Sequence, residues 1–406
     1  MFISFFPNPR LFAISGAIWG LFCVLVWNLV VYDWTDPFGI GGSLGWDPGR
    51  VWLYQYNFLC YVGFAAYWLY RVPHRWARWS VGGSALIVFA TWFQVQLDVM
   101  INEWFGGFYD LIQEALAEPY AVSLEEYYAK LFTFLQIAIV YVVTAVLLTF
   151  FTSHYVFRWR TAMNDRYVAL WSKIRHIEGA SQRIQEDTML FAKIMESLGS
   201  RFIDAVMTLM AFLPILWALS VHVKELPIIG EIPQALVFIA ILWSVFGTGL
   251  LALAGYRLPG LEFRNQRVEA AFRKELVLGE DNENRARPPT LGELFSKVRR
   301  NYFTLFTNYL YFNVARNSYL QVGVIVPYLA LGPTIVAAGV TLGVLQQIVR
   351  AFDRVESSFQ FLVRSWTTIV ELMSIYKRLA AMERAIAGDE QAAIEFEPEA
   401  TRPAEV

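Results

Sequence analysis

Between Leu131 and Ser153 the chain reads LFTFLQIAIVYVVTAVLLTFFTS, a run without a charged side chain. An α-helix needs about 20 consecutive apolar residues to cross the hydrocarbon core of a bilayer, so this run predicts a membrane-spanning helix. Six similar runs lie on either side of it, and the last of them contains one charge, Arg316: Leu11–Tyr32, Val51–Tyr70, Trp79–Leu97, Ala205–Val221, Ile232–Tyr256 and Asn301–Val349. The chain is therefore expected to be an all-α polytopic membrane protein.

The last of these runs is too long for one crossing. Gly332-Pro333 interrupts it, and a proline disfavours the α conformation in the residue before it. We therefore predict a seventh span over Asn301–Leu331 and an eighth helix that begins near Thr334, which gives eight transmembrane helices in all.

The composition excludes several classes of protein. Hydrophobic residues make up 56% and charged residues 17% of the 406 residues, whereas soluble domains carry about 25% charged residues. A net charge of −2 gives no sign of a nucleic-acid partner. No Gly-Lys pair occurs, so the P-loop that would bind ATP is missing, and the scattered histidines and the lone Cys23 and Cys60 match no metal or disulfide spacing. We expect no cofactor, no metal and no enzymatic activity.

The basic residues predict the orientation. With the N-terminus in the cytoplasm, the cytoplasmic connections are Arg71–Arg78, His154–Glu196 and Arg257–Arg300, and they hold most of the lysines and arginines. The positive-inside rule then places both termini in the cytoplasm. The connection between the third and fourth crossings is acidic, and Phe108–Leu116 within it is expected to form a short interfacial helix.

The eighth helix is predicted to continue from Thr334 to about Met382, which is longer than one crossing requires. At about 100° per residue, its polar side chains fall within one narrow arc. They are Asp353, Glu356, Gln360, Arg364, Thr367, Glu371, Ser374 and Arg378. Such a stripe predicts the lining of an aqueous cavity, and the alternative is a salt-bridged stalk or a dimer seam.

Charged and polar residues within apolar segments are costly, so they are candidates for transport. Asp204 lies near the start of the fifth span, and Asn308 and Arg316 lie in the seventh. We expect all three to line the cavity. Glu196, Glu356 and Glu371 are candidate proton carriers, because a desolvated carboxylate takes up a proton more readily. A structural ion pair is the competing interpretation for each carboxylate.

Two cytoplasmic segments share a short motif that suggests an internal repeat. Glu178 is followed by Gln182-Arg183-Ile184, and Glu262 is followed by Gln266-Arg267-Val268. In both, the Glu and Gln are one helical turn apart and share a face.

Several long strings resemble the SbmA/BacA family of bacterial inner-membrane peptide transporters. They are FYDLIQ at 108–113, SHYVFRWRTAMN at 153–164, LPIIG at 226–230, PGLEF at 259–263, NQRVEAA at 265–271, SWTT at 365–368 and YKRL at 376–379. The final helix is more similar to the rhizobial BacA members than to the enterobacterial SbmA members.

This resemblance implies a homodimer whose six core helices are arranged like the transmembrane domain of an ABC exporter, without a nucleotide-binding domain. It implies proton-driven import of peptides and peptide-like antibiotics across the inner membrane. The family's glutamates that match this sequence are Glu178, Glu196, Glu262, Glu269, Glu275 and Glu371. Glu356 and Asp353 stand outside the positions shared with the enterobacterial members.

The sequence thus predicts a two-helix addition over residues 1–76, a six-helix transporter core over 77–387 and a disordered cytoplasmic tail over 388–406. The two cytoplasmic loops of the core are 154–196 and 257–300. The partners expected are a second copy of the chain, peptides, protons and membrane lipids. The alternative function is an ABC-exporter-like subunit that moves lipids or fatty acids with a separate ATPase.

Overall fold

A computed structural model describes residues 1–32, 34, 37–38, 47–175, 180–223, 230, 233–282 and 285–386. These residues are almost entirely helical and include no strand. The α-helices, in chain order, are α1 (Phe2–Phe5), α2 (Pro9–Val26), α3 (Pro48–Arg71), α4 (Ser84–Ala117), α5 (Leu124–Ala169), α6 (Trp171–Ile174), α7 (Ala180–Gln182), α8 (Thr188–Ile194), α9 (Ser200–Leu219), α10 (Ala235–Gly255), α11 (Leu258–Asp281), α12 (Pro288–Val336), α13 (Leu342–Phe359), α14 (Phe361–Arg364) and α15 (Trp366–Ile386). The predicted tail after Gly388 lies outside the described residues.

Six helical stretches among the described residues are long and apolar enough to cross a membrane. They are Pro9–Val31, Arg78–Ala117, Leu124–Ala169, Ala180–His222, Ala235–Glu280 and Pro288–Val336. The predicted second span forms α3, which is helical but is not among these six. A polytopic, all-helical protein is therefore confirmed, and the count of eight crossings stays a prediction.

The chain divides into two compact units. Unit 1 comprises residues 1–101, 125–207 and 371–406, and unit 2 comprises residues 102–124 and 208–370.

The predicted boundary between the last two helices is wrong. Helix α12 continues through Gly332-Pro333 and ends at Val336. A proline inside a helix removes one backbone hydrogen bond, and neighbouring groups in membrane helices compensate for this loss. Chain reversal occurs instead at Ala338, which adopts a left-handed conformation with φ of 48°.

The end of α12 satisfies its carbonyl groups by a Schellman motif. Gly339 N donates to Thr334 O at 2.8 Å, and Ala338 N donates to Ile335 O at 3.0 Å. Two residues later, the Thr341 side chain accepts from Val344 N and caps the start of α13. This turn, rather than the proline, ends one helix and begins the next.

Helix α4 also contributes to the start of α13, within unit 2. Asp110 Oδ1 accepts from Gly343 N at 2.9 Å, and Gln113 Oε1 accepts from Leu342 N at 2.7 Å. The predicted short helix Phe108–Leu116 is thus not separate, because α4 runs without interruption to Ala117. Its acidic end supplies acceptors to two of the unpaired N–H groups of α13.

The predicted continuous last helix is also wrong, because turns at Gln360 and Ser365 divide it into α13, α14 and α15. At Gln360 the backbone has ψ of −6°, away from the α-helical value. The polar stripe is therefore divided between three shorter helices.

An ion pair in unit 1 fixes α15 to the helical turn Arg183–Asp187. Arg378 Nε donates to Asp187 Oδ2 at 3.0 Å, and Arg378 Nη2 donates to Asp187 Oδ1 at 2.6 Å. The Asp187 side chain is 3% exposed. These hydrogen bonds to Asp187 raise the pKa of Arg378, so the pair stays charged. In the same unit, the Tyr167 hydroxyl donates to Glu383 at 3.0 Å.

Replacing Arg378 with Gln should destabilise the protein, because it leaves the buried Asp187 carboxylate without its cation. Breaking a buried pair in this way costs about 3–5 kcal/mol. The test is the melting temperature of the purified protein in detergent. Lys377→Gln is the matched control, since Lys377 is exposed on the same helix. Equal melting temperatures for the two variants would contradict a stabilising role for the pair.

Candidate functional site

The most deeply placed of the predicted proton-coupling carboxylates is Glu356, in the last turn of unit 2's α13. Its residue is 7% exposed. Glu196, Glu262, Glu269 and Glu275 are half-buried and Glu371 is exposed, so Glu356 is the only one of those with described positions that is buried. Glu178 lies outside the described residues.

One oxygen of Glu356 is held by side chains from two other helices and from the residue that follows α13. Glu356 Oε1 accepts from Trp243 Nε1 of α10 at 3.0 Å and from the Tyr319 hydroxyl of α12 at 2.9 Å. Gln360 Nε2, one turn further along the chain, donates to the same oxygen at 2.6 Å. We call Trp243, Tyr319, Glu356, Gln360 and Arg364 the Glu356 cluster.

Close packing of α10 against α12 makes this arrangement possible. The rings of Trp243 and Tyr319 stack with their centroids 4.9 Å apart. A Cβ atom added at Gly247 would lie 2.1 Å from Tyr319 Cζ, and one added at Gly323 would lie 3.3 Å from Glu356 Oε1. Each glycine lies one helical turn beyond an aromatic member of the cluster. The missing side chains therefore create the space that the tyrosine and the carboxylate fill.

Gln360 connects the buried carboxylate to the surface of the chain. Its residue is fully buried, and its Oε1 accepts from Arg364 Nε at 3.0 Å and from Arg364 Nη2 at 2.6 Å. Arg364 itself is exposed. A line of hydrogen bonds thus runs from an exposed cation through a neutral amide to a buried carboxyl group.

This arrangement can respond to a proton. An ionised carboxylate is an acceptor only, whereas a protonated carboxyl group carries one O–H donor and keeps less accepting capacity. Since three donors meet at one oxygen, uptake of a proton there would change the hydrogen bonds of α10, α12 and α13 together. Asp353, one turn before Glu356 and exposed, adds a second negative charge nearby.

A second polar group lies between α11 and α12 in unit 2. Glu262 is half-buried, and its Oε2 is fully enclosed without a hydrogen-bond partner among the described residues. One turn away, Asn265 Oδ1 accepts from Asn301 Nδ2 at 3.1 Å. Buried acceptors are usually paired, so the unpartnered oxygen of Glu262 makes this carboxylate the second candidate for proton uptake.

Other predicted carboxylates make local contacts. Glu196 accepts a short hydrogen bond from the Ser153 hydroxyl. Glu275 accepts from Ala286 N at 3.1 Å and faces Arg285 at 3.6 Å, so it holds the turn that follows α11. Glu371 is exposed on α15 and lies within the electrostatic reach of Arg378. Glu269 is half-buried on α11.

The remaining predicted cavity residues are scattered. Asp204 and Arg316 are exposed on α9 and α12, and Asn308 is half-buried with Nδ2 bonded to Thr304 O at 2.8 Å. The side chain of Thr367 lies outside the described residues. Among the predicted cavity residues whose side chains are described, Gln360 and Arg364 belong to the Glu356 cluster through their hydrogen bonds.

Trp243 and Tyr319 are functional candidates that the sequence did not single out. They sit in apolar spans, where aromatic residues are common and carry no distinguishing pattern. A signal did exist in the pairs Trp243/Gly247 and Tyr319/Gly323, because an aromatic residue one turn from a glycine permits close approach of helices.

Comparison with known proteins agrees with the family resemblance found in the sequence. The sequence profile of a family described as SbmA/BacA-like matches residues 73–387. The chain is 24% identical over 301 residues to the inner membrane ABC transporter ATP-binding protein YddA of Escherichia coli K12, with 70% of this chain and 54% of that protein covered.

Two uncharacterized ABC transporter ATP-binding proteins of Haemophilus influenzae are also similar. One is 26% identical, with 47% of this chain and 33% of that protein covered, and the other is 24% identical, with 66% and 47% covered. The chain thus spans about half the length, or less, of the curated relatives that it matches.

Replacing Gly247 with Ala should displace the Tyr319 ring, because the new methyl group would overlap it. Overpacking of this kind costs about 1–3 kcal/mol. Gly249→Ala on the same helix meets nothing within 4 Å, so it should be neutral or stabilising by about 0.5–1 kcal/mol. Thermal unfolding of both variants in detergent measures the difference. A Gly247→Ala protein as stable as Gly249→Ala would show that the packing at Tyr319 is loose.

Proposed function

The chain belongs to the SbmA/BacA-like family, and on that premise we propose that it imports peptides across the bacterial inner membrane, driven by the proton gradient. Family membership and the relatives' names establish a membrane transporter. The proposal adds the substrate class and the energy source. It also includes a homodimer, eight crossings with six arranged like an ABC exporter's transmembrane domain, and both termini in the cytoplasm.

The observation that carries the proposal is the bonding of Glu356. A proton-driven transporter needs a group whose protonation changes the relative free energies of two conformations. Glu356 is buried, and its oxygen joins α10, α12 and α13. Protonation removes attraction between helices that the ionised carboxylate holds together. The Glu356 cluster thus supports coupling between a proton and helix packing.

Glu262 offers a second position for a proton. Its enclosed Oε2 accepts nothing from the described residues, so a proton could be accommodated there without breaking a hydrogen bond. We assign it the supporting role, since the hydrogen-bonded pair one turn away, Asn265 and Asn301, joins two helices, α11 and α12.

A second candidate function is suggested by the relatives' names. They are called ATP-binding proteins, and this chain spans about half the length, or less, of each. The chain has no Gly-Lys pair and hence no P-loop of its own. As an ABC-exporter-like subunit it would therefore move lipids or fatty acids with an ATPase on a separate chain.

Peptide uptake by proteoliposomes separates the two functions. With the purified chain, a fluorescent proline-rich peptide and no nucleotide, an inwardly directed proton gradient should accelerate uptake. Collapsing the gradient with a protonophore should return uptake to the background of protein-free vesicles. Uptake that ignores the gradient and appears only with ATP and an added ATPase would favour the second function.

Replacing Glu356 with Gln should abolish the acceleration by the gradient, because the amide cannot take up or release the proton. Peptide binding, measured by fluorescence anisotropy, should remain. Glu293→Gln is the matched control, since Glu293 is exposed on α12 and pairs with Lys297 at 2.8 Å. Gradient-driven uptake at the wild-type rate in Glu356→Gln would remove Glu356 from the coupling and leave Glu262 as the candidate.

A further inference from the structure

Unit 1 contains a cavity that the proposed function does not use. Its volume is about 350 Å³, and it is lined by residues of α1, α2, α4, α5 and α9 together with the helical turn Met195–Gly199. Phe6, Phe12, Ile87, Trp159 and Ile203 are representative of its apolar wall. The volume falls within the range of small-molecule pockets, about 300–1,000 Å³.

The wall is mostly apolar, and two of the hydroxyl groups in it are already paired. The Tyr155 hydroxyl lies 2.7 Å from Ser84 Oγ, and Ser84 Oγ donates to Ser80 O at 2.5 Å. Because these hydroxyls are already paired within the protein, a bound polar group would gain few hydrogen bonds from them. The cavity is suited to hydrocarbon.

Two of the helices that line the cavity present apolar outer surfaces. Ile14 and Leu21 of α2 and Phe150 and Phe157 of α5 are more than half exposed, and both helices belong to candidate membrane spans. In a bilayer such surfaces contact acyl chains. The hydrocarbon in reach of the cavity is therefore that of a membrane lipid.

Two positively charged residues directly follow lining residues in the sequence. Arg10 follows the lining residue Pro9, and Arg201 follows the lining residue Ser200. Both are exposed, and neither forms an ion pair with any residue that the structure describes. Basic side chains at a pocket between transmembrane helices favour an anionic headgroup.

We propose that this cavity holds one acyl chain of an anionic phospholipid, whose phosphate is bound by Arg10 and Arg201. The lipid is a resident ligand of unit 1 and not the transported substrate. The lipid site shares no residue with the Glu356 cluster and is tested by lipid binding alone. A negative result for the lipid therefore leaves the proposed function unaffected, and the reverse also holds.

Native mass spectrometry of the delipidated full chain provides the test. The chain is titrated with phosphatidylglycerol and with phosphatidylcholine of the same acyl chains, and in separate arms with a free fatty acid and with inorganic phosphate. We expect one retained phosphatidylglycerol per chain, at least tenfold tighter than phosphatidylcholine. Binding of inorganic phosphate alone should be undetectable, and the fatty acid should bind more weakly than the intact lipid.

Variants locate the site. Ala13→Trp places a large ring at a lining position and should lose the retained lipid, whereas Ala17→Trp, one turn further along α2 and exposed away from the lining, should keep it. Gly199→Leu tests lipid retention at a second lining position, because a Cβ atom there meets only Met195 Cε at 3.7 Å.

The double variant Arg10→Gln, Arg201→Gln tests the headgroup. It should remove the preference for phosphatidylglycerol while lipid is still bound.

Three results would overturn the assignment. Equal retention of the two phospholipids by the wild-type chain would refute the anionic headgroup. Retention unchanged in both Ala13→Trp and Gly199→Leu would place the lipid elsewhere. Displacement of phosphatidylglycerol by a proline-rich peptide would assign the cavity to the substrate instead.

Discussion

A carboxyl group removed from water must find donors within the protein, and much of unit 2 is arranged around this requirement at Glu356. Burial of an unpaired charge is expensive, and the donors here come from α10 and α12 and from the next turn of the chain. The glycines at 247 and 323 are needed because the donors are large aromatic side chains that require room. The helix interruption at Gln360 occurs at the residue that donates from α13's own end. The packing of α10 against α12, the positions of the two glycines and the end of α13 are thus all related to the hydrogen bonds of Glu356 Oε1.

The part proposed for unit 2 in transport depends on which side chains of the Glu356 cluster are neutral and which are charged. Gln360 is neutral and buried, and it lies between a buried carboxyl group and an exposed guanidinium. In unit 1, by contrast, two charged side chains contact each other directly. Arg378 donates hydrogen bonds from Nε and Nη2 to the carboxylate of Asp187. A direct bidentate pair forms strong charge-assisted hydrogen bonds, whereas the donors that bond to Glu356 among the described residues are neutral. The first arrangement suits anchoring of α15, and the second suits a group whose charge has to change.

Part of this arrangement is predictable from the sequence. Helical periodicity predicted that Glu356, Gln360 and Arg364 share a face, and the hydrogen bonds between them at a spacing of four residues confirm it. The partners on α10 and α12 could not be found in the same way, because 113 and 37 residues separate them from Glu356 and no local pattern marks a contact over such distances. The proline at 333 was misleading for a physical reason: a proline within a long apolar helix costs one hydrogen bond, while the Schellman motif at Ala338 satisfies two carbonyl groups. Six of the eight predicted spans lie in helices that are long and apolar enough to cross a membrane, because the bilayer imposes the length of such runs.

The amide of Gln360 gives the hydrogen-bond line a polarity. Its nitrogen donates to Glu356 and to the Tyr319 hydroxyl, its oxygen accepts from Arg364, and an ionised Glu356 favours this orientation. A carboxylic acid that turned its O–H towards the amide would require the oxygen of Gln360 instead, and the amide would have to rotate by half a turn. The NH₂ group would then face the guanidinium of Arg364, and two donors cannot bond to each other. Arg364 would be released from the end of α14, so a neutral side chain would transmit the arrival of a proton to the surface without carrying any charge itself.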